Sequence, residues 1–456
     1  MIVIFFLIGF LLFFLNINKW EINVKLLLIL FPFFGLIANN LEPYSSSRIT
    51  SIFYDFVFII PIYLSLFTKK LDYGYFSMMP LNLKFAFFFI FLIILIQLLN
   101  PYNSIPFLAK IVGFKVWLFY YLMVPVGFYY IKNKNHLIEI CKLLSKISII
   151  PCSIAIIQFI LVFRIGFQET MNLFYSPEIA NKVTQNFTKF SIASNIQLVR
   201  IPSTFSFPTQ FSNYLLFSFV PVLTSLNFVN NNKEKLFYFF IFFLIIFASI
   251  ASGMRGMYIY IPIFFIYYSI INKKIDKLIL YGVLTSIILI LLYSTKFLNL
   301  DLLLTEIQRL TNIYANTAFS DGYSYFLNNF FGNGVGTATY QTKNITGLTV
   351  QVGPNYNEGY FFKVITELGF LGFVAILILY YNVIKTLLDC LNLEKQESYK
   401  VLISSFTTFY LLMITQNIKS MHIDLFPSNI MIFLFIGIIL KLNLINQIEI
   451  STPSSK

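Results

Sequence analysis

Long apolar runs separated by short polar stretches are the dominant pattern along this chain. About thirteen recur, near 1–17, 24–38, 50–67, 83–99, 113–131, 147–164, 207–228, 236–251, 257–271, 278–293, 361–385, 401–416 and 428–440. A straight membrane-crossing helix wants about 20 apolar residues, and several of these runs are shorter, so the pattern predicts about 12–13 transmembrane helices. The short alternating segments of a membrane β-barrel are not the pattern here. The predicted fold is an all-α polytopic membrane protein, with residues 1–456 forming a single transmembrane domain. Pro32, Pro61, Pro125, Pro151, Pro221 and Pro262 lie within the runs, where neighbouring helices can satisfy the backbone groups a proline frees.

Composition supports the pattern. The chain is 58% hydrophobic and only 11% charged, and its mean hydropathy is +0.78. A soluble domain runs near 45–50% apolar and about 25% charged, so a soluble enzyme, a disordered chain and a secreted disulfide scaffold are excluded. Residues 1–16 are apolar from the start, with no basic leader or small-residue cleavage site, and read as a retained first span. Cys141, Cys152 and Cys390 share no motif spacing, so neither a disulfide framework nor a zinc site is expected.

The net charge of +13 reads as a topology signal, and no nucleic-acid partner is expected. Lys69/Lys70, Lys132/Lys134, Lys233/Lys235, Lys273/Lys274/Lys277 and Lys395/Lys400 occupy alternate short loops, which the lysine bias assigns to the cytoplasm. Two long loops, 165–206 and 294–360, then face outward. With thirteen spans the N-terminus lies outside and the C-terminal tail inside.

Arginine is distributed differently from lysine. Only five of the 32 basic residues are arginine, and on this topology Arg48, Arg164, Arg200, Arg255 and Arg309 all fall on the outward side or at its membrane edge. Topology signalling needs only positive charge, which lysine supplies. A permanently charged planar fork suits a phosphate or diphosphate; chance is the alternative for so few residues.

Three stretches concentrate the candidate chemistry. The first, R-I-P-S-T-F-S-F-P-T-Q-F-S-N-Y-L at 200–215, closes the first long loop, with Arg200 at the lip of a span. Its plainer reading is an interfacial arginine anchoring a helix end. The second, A-S-G-M-R-G-M-Y at 251–258, is a turn between two spans that holds Arg255 at the membrane edge, where a charge is costly unless it meets a cavity or counter-ion. The third is the loop 294–360. It opens with D-L-L-L-T-E-I-Q-R-L-T-N-I-Y at 301–314, whose Leu303, Ile307, Leu310 and Tyr314 predict an amphipathic helix on the membrane surface.

That loop continues through F-F-G-N-G-V-G-T at 330–337. No strand precedes this run, so a nucleotide-binding reading is rejected and a flexible outer turn is expected. It ends in N-Y-N-E-G-Y-F-F-K-V-I-T-E-L-G-F-L-G at 355–372. Glu358 is placed to act as a general base. Glu367 lies inside an apolar run, where it serves either chemistry or a helix-packing, loop-holding contact. His422 beside Asp424 in the last short outer loop reads as loop composition, and His136 as a loop residue among cytoplasmic lysines.

Absences narrow the chemistry. The sequence has no Walker A motif, no D-x-D pair and no H-E-x-x-H. Transferase chemistry here is expected to be metal-independent, to need no cofactor and to use a lipid-linked donor that already carries its leaving group.

The three stretches, in this order, resemble the O-antigen ligase/O-antigen polymerase family of bacterial inner-membrane proteins. The resemblance rests on the Arg-led stretch from Arg200, the small-residue turn Ser252 to Gly256, and the loop with F-G-x-G-x-G from Phe331 to Gly336. The loop's end is similar to H-N-x-Y-L-x-x-x-x-E-x-G. The pattern covers roughly 195–375. One departure is that Glu358 and Gly359 stand where ligase-like members have His and Asn, which fits the looser pattern of polymerases better.

The resemblance implies a GT-C-like fold in the inner membrane, with 165–206 and 294–360 as periplasmic loops. It implies an inverting glycosyltransferase that polymerises oligosaccharide repeat units of O-antigen or another surface polysaccharide, delivered on undecaprenyl diphosphate. Arg200 and Arg255 would engage the diphosphate, the proton would pass to Glu358 or to another group, and Arg309, Glu367 and Tyr360 would bind substrate. The implied partners are the lipid-linked oligosaccharide, the bilayer, and chain-length regulator and flippase proteins. Transfer to another acceptor, as in a ligase, and a lipid-linked oligosaccharide flippase are the alternatives.

Overall fold

The computed structural model describes residues 13, 19–41, 55–69, 79–101, 105–186, 190–193, 196–198, 200–273, 308, 326–339, 342, 359–417, 423–425 and 428–451. The expected spans 1–17 and 278–293 and the surface helix 301–314 lie outside the described residues, apart from Phe13 and Gln308.

Among the described residues, eight helices are long and apolar enough to cross a membrane: 20–40, 81–98, 107–130, 134–165, 208–228, 232–251, 360–393 and 428–448. Two shorter apolar helices, 55–68 and 256–271, accompany them. The chain begins with α1 (Trp20–Leu30), α2 (Phe34–Leu41), α3 (Ile60–Lys69), α4 (Leu81–Leu98), α5 (Phe107–Leu118) and α6 (Met123–Tyr130). It continues with α7 (Lys134–Ile147), α8 (Ile149–Ile165), α9 (Phe167–Phe174), α10 (Pro177–Asn186), α11 (Pro208–Phe228), α12 (Asn232–Ala251) and α13 (Arg255–Ile271). Three long helices follow: α14 (Tyr360–Leu393), α15 (Glu397–Gln416) and α16 (Ser428–Ser451). Among the described residues, strands enter only as a two-stranded hairpin, β1 (Phe190–Ala193) and β2 (Ile196–Leu198).

Burial divides the helices by role. α11 is buried from Phe211 to Ser225 without interruption, and α15 is nearly as enclosed, so these two form the centre. By contrast α4 and α12 expose Phe85, Phe88, Ile96, Leu236, Phe240 and Phe247, the apolar outer face a lipid-facing helix presents. Aromatic side chains fill the middle: Phe217 meets Phe409 and Phe435 edge-on at ring-centroid distances of 5.5 and 5.0 Å.

The helices run alternately between two distinct ends. One end joins Glu21 to Lys132 (2.6 Å), Lys142 to Glu234 (3.6 Å), Ser398 to the Asn227 carbonyl (3.1 Å) and Asn446 to Glu394 (2.6 Å). Lys132, Lys134, Lys142, Lys233, Lys235, Lys395 and Lys400 therefore collect there. At the opposite end Ile201 meets Ser252, Asn100 meets Gly332 and Phe361 meets Asn417. The Arg200 and Arg255 stretches and the described glycine run of the third stretch converge on that second end.

Candidate active site at the arginine end

The Arg200 stretch is built into the bundle. Arg200 is half-buried, and Ile201 through Phe205 are buried completely. Ser203 holds a left-handed backbone, φ +54°, which for a serine is strain of about 1–3 kcal/mol. Four hydrogen bonds fix it. Its hydroxyl donates to the Pro151 carbonyl (2.6 Å) and its N–H to Gln158 Oε1 (3.0 Å). Its carbonyl accepts from Gln158 Nε2 (3.4 Å) and from the Tyr175 hydroxyl (3.2 Å). Tyr175 follows α9 directly, and it joins Phe167, Met171, Ile179 and Ala180 in a small apolar cluster that holds α9 against α10.

Thr204 works on another helix. In the first turn of α2 the Leu36 N–H donates to the Thr204 carbonyl (2.8 Å), while the Thr204 hydroxyl donates to the carbonyl of Pro32, between α1 and α2 (2.6 Å). Pro32 and Leu36 are partners in an uninterrupted helix, so Thr204 stands between them.

The turn 252–254 joins this segment. The Ile201 N–H donates to the Ser252 carbonyl at 3.0 Å, and Gly253 takes φ +64° before the backbone of Arg255 opens α13. The stretches bearing Arg200 and Arg255 are thus stitched together, although more than fifty positions separate them in the sequence.

The F-F-G-N-G-V-G-T run corrects the sequence reading: it is not a flexible outer turn. Gly334, Val335, Gly336, Ala338 and Thr339 are buried or half-buried among α4, α5 and α14. Glycine permits this because the backbones touch. A Cβ on Gly369 (φ +69°) would stand 2.7 Å from the Gly332 nitrogen, and one on Gly113 would stand 2.5 Å from Gly336. Three of the N–H groups that could cradle a phosphate are used within the protein. Asn333 donates to the Thr366 carbonyl (2.6 Å), Gly334 to the Glu367 carbonyl (3.2 Å) and Val335 to the Gln97 carbonyl (3.3 Å).

Glu367 sits at the centre of this plug, fully buried, about 10 Å along the helix from Tyr360 at 1.5 Å per residue. Its Oε1 accepts from the Ala338 N–H and the Thr339 hydroxyl, each at 2.8 Å, and its Oε2 from the Trp117 indole at 2.6 Å. Of the two roles the sequence left open, the hydrogen bonds are those of the loop-holding one. Tyr360, also buried, packs its ring 5.7 Å from Trp117. Arg309 and Glu358 lie outside the described residues, as do Arg48 and His422.

Sequence reasoning overlooked the buried charges beside Glu367. Lys363, 1% exposed, forms an ion pair with Asp424 and lies 4.5 Å from the Trp117 ring centroid. Burial pushes the Asp424 carboxyl above the usual carboxylate range, against the pull of the Lys363 ammonium. A second pair joins Lys115 on α5 to Asp55 before α3. The available signal was a lysine and a glutamate four residues apart within one apolar run. Among the described residues, no three His, Cys, Asp or Glu side chains gather as a metal site.

No protein-family model matches this chain, and no curated protein matches it either.

Proposed function

We propose that this protein polymerises lipid-linked oligosaccharide repeat units at the outer face of a bacterial inner membrane, by inverting, metal-independent glycosyl transfer from a polyprenyl diphosphate. The observation that carries the reading is the bond from the Ile201 N–H to the Ser252 carbonyl, which brings two arginine-bearing stretches to one place, at the end opposite the group formed by Lys132, Lys134, Lys142, Lys233, Lys235, Lys395 and Lys400. The strained, four-bonded Ser203 beside them supports it, since backbone strain held this firmly gathers at binding and catalytic sites.

In this reading Arg200 and Arg255 fork onto the diphosphate and stabilise the negative charge that grows on it. An acceptor sugar hydroxyl attacks the anomeric carbon from the opposite face. The carbon–oxygen bond to phosphate breaks with its electron pair going to the diphosphate, and the hydroxyl proton passes to a base, for which Glu358 is the candidate. One displacement inverts the anomeric centre. Arg309 and Tyr360 belong to the substrate side, and a GT-C-like arrangement is the fold this reading implies.

Gel analysis of surface polysaccharide from a deletion strain tests the proposal. Loss of a polymerase leaves single repeat units attached. Unattached lipid-linked polymer would mean a ligase, and the absence of both a flippase; either result overturns the proposal.

A further inference from the structure

One face of α14 carries three buried side chains, two of which hold separate segments. Tyr360 and Lys363 lie one turn apart, and Glu367 follows one turn further on the same face. Glu367 holds the glycine plug through Ala338 and Thr339. Lys363 holds residues 423–425 through Asp424. Trp117 of α5 serves both, its indole N–H on Glu367 and its ring face toward the Lys363 ammonium. The backbone continues the link, with the Phe361 N–H donating to the Asn417 carbonyl (3.4 Å) and Asn417 Nδ2 to the Tyr380 hydroxyl (3.0 Å).

Such burial is not the economical way to stabilise a bundle. A well-packed apolar pair commonly matches or exceeds a buried ion pair in stability, whereas one charge left alone is strongly destabilising. What an ion pair adds is a fixed register, because only one placement of the segment satisfies both charges. We propose that Lys363 and Asp424 are positioning residues: through Trp117 and Glu367 they set segment 423–425 and the glycine plug in one register at the arginine end. This role rests on the reading of that end as the reaction site.

The decisive variant is Lys363→Met combined with Asp424→Leu, which removes both charges and keeps apolar bulk, with Lys363→Met alone as the comparison. Ile423→Cys, introduced at a buried position, reports the segment by thiol labelling. The native Cys141, Cys152 and Cys390 are all buried and give a low background. The single variant should lower the thermal midpoint, and the double variant should restore it. Labelling of the introduced thiol should still rise about tenfold or more in the double variant, and polysaccharide chains should shorten in cells complemented with it.

Wild-type labelling in the double variant overturns the register role. Raised labelling with wild-type chain lengths overturns its use in the reaction. Raised labelling in a protein whose deletion leaves polysaccharide unchanged refutes the polymerase reading and leaves the register intact.

Discussion

Glu367→Gln separates the contacts of one buried carboxylate. Oε1 accepts two hydrogen bonds and Oε2 accepts the Trp117 indole. A glutamine has one oxygen. If it faces Ala338 and Thr339, its NH2 group confronts the Trp117 N–H, donor against donor; flipping the amide moves the conflict to the plug. Hydrogen bonds to charged groups contribute about 1.5–3 kcal/mol each, so losing one and weakening two should cost about 2 kcal/mol or more. At about 1.4 kcal/mol per factor of ten, the plug should open about thirtyfold more often. Val335→Cys, at a position buried among the helices, supplies the probe: labelling of its thiol should rise by that factor when Glu367→Gln is added, while expression holds. Trp117→Phe should relieve much of the loss, because the ring face toward Lys363 remains and the conflicting donor is gone. Equal labelling at position 335 with and without Glu367→Gln would refute the reasoning.

Other tests address the chemistry and the packing. Arg200→Lys and Arg255→Lys keep the charge but lose the fork, so polymer formation should fall by about a hundredfold or more with protein level unchanged, while Arg48→Lys stays active. Normal polymer from both variants would remove these arginines from the site. In-vitro polymerisation of a purified lipid-linked repeat should survive chelation by EDTA; loss with recovery on adding Mg²⁺ would overturn the metal-independent step. Gly336→Ala places a Cβ 2.6 Å from the Ala109 carbonyl at φ +92°, so the thermal midpoint in detergent should drop by several degrees. An unchanged midpoint would show that α5 yields to the plug.

The helices were legible because crossing lipid demands uninterrupted apolar length, a property of consecutive residues. The runs at 83–99, 207–228, 236–251 and 361–385 all correspond to helices. Glu367 was legible as an expensive charge, and its partners were not. Gln97 meets the Phe331 carbonyl across 234 positions, and Lys363 meets Asp424 across 61. The glycine run misled for a related reason. Glycine marks both loose turns and close backbone approaches, and only the helices that close around 331–339 distinguish them. The arginine stretches were legible as motifs, but the bond joining them depends on the turn at Gly253 and on Ser203 being held in place.

Thr204 bears on how the chain assembles. Helix α1 and its continuation α2 emerge long before residue 204 exists, and lipid offers no partner for an open carbonyl at Pro32 or an open N–H at Leu36. Those two groups can bond each other in a continuous helix until the later segment arrives. Docking then exchanges one bond within the helix for two between segments, Leu36 to Thr204 and Thr204 to Pro32. The tight 3-10 turn at Phe31–Phe33, begun by a proline that has no N–H to give, is thus locked open when the Arg200 stretch seats. A molecule in which Leu36 still bonds Pro32 is one whose Arg200 stretch has not yet seated.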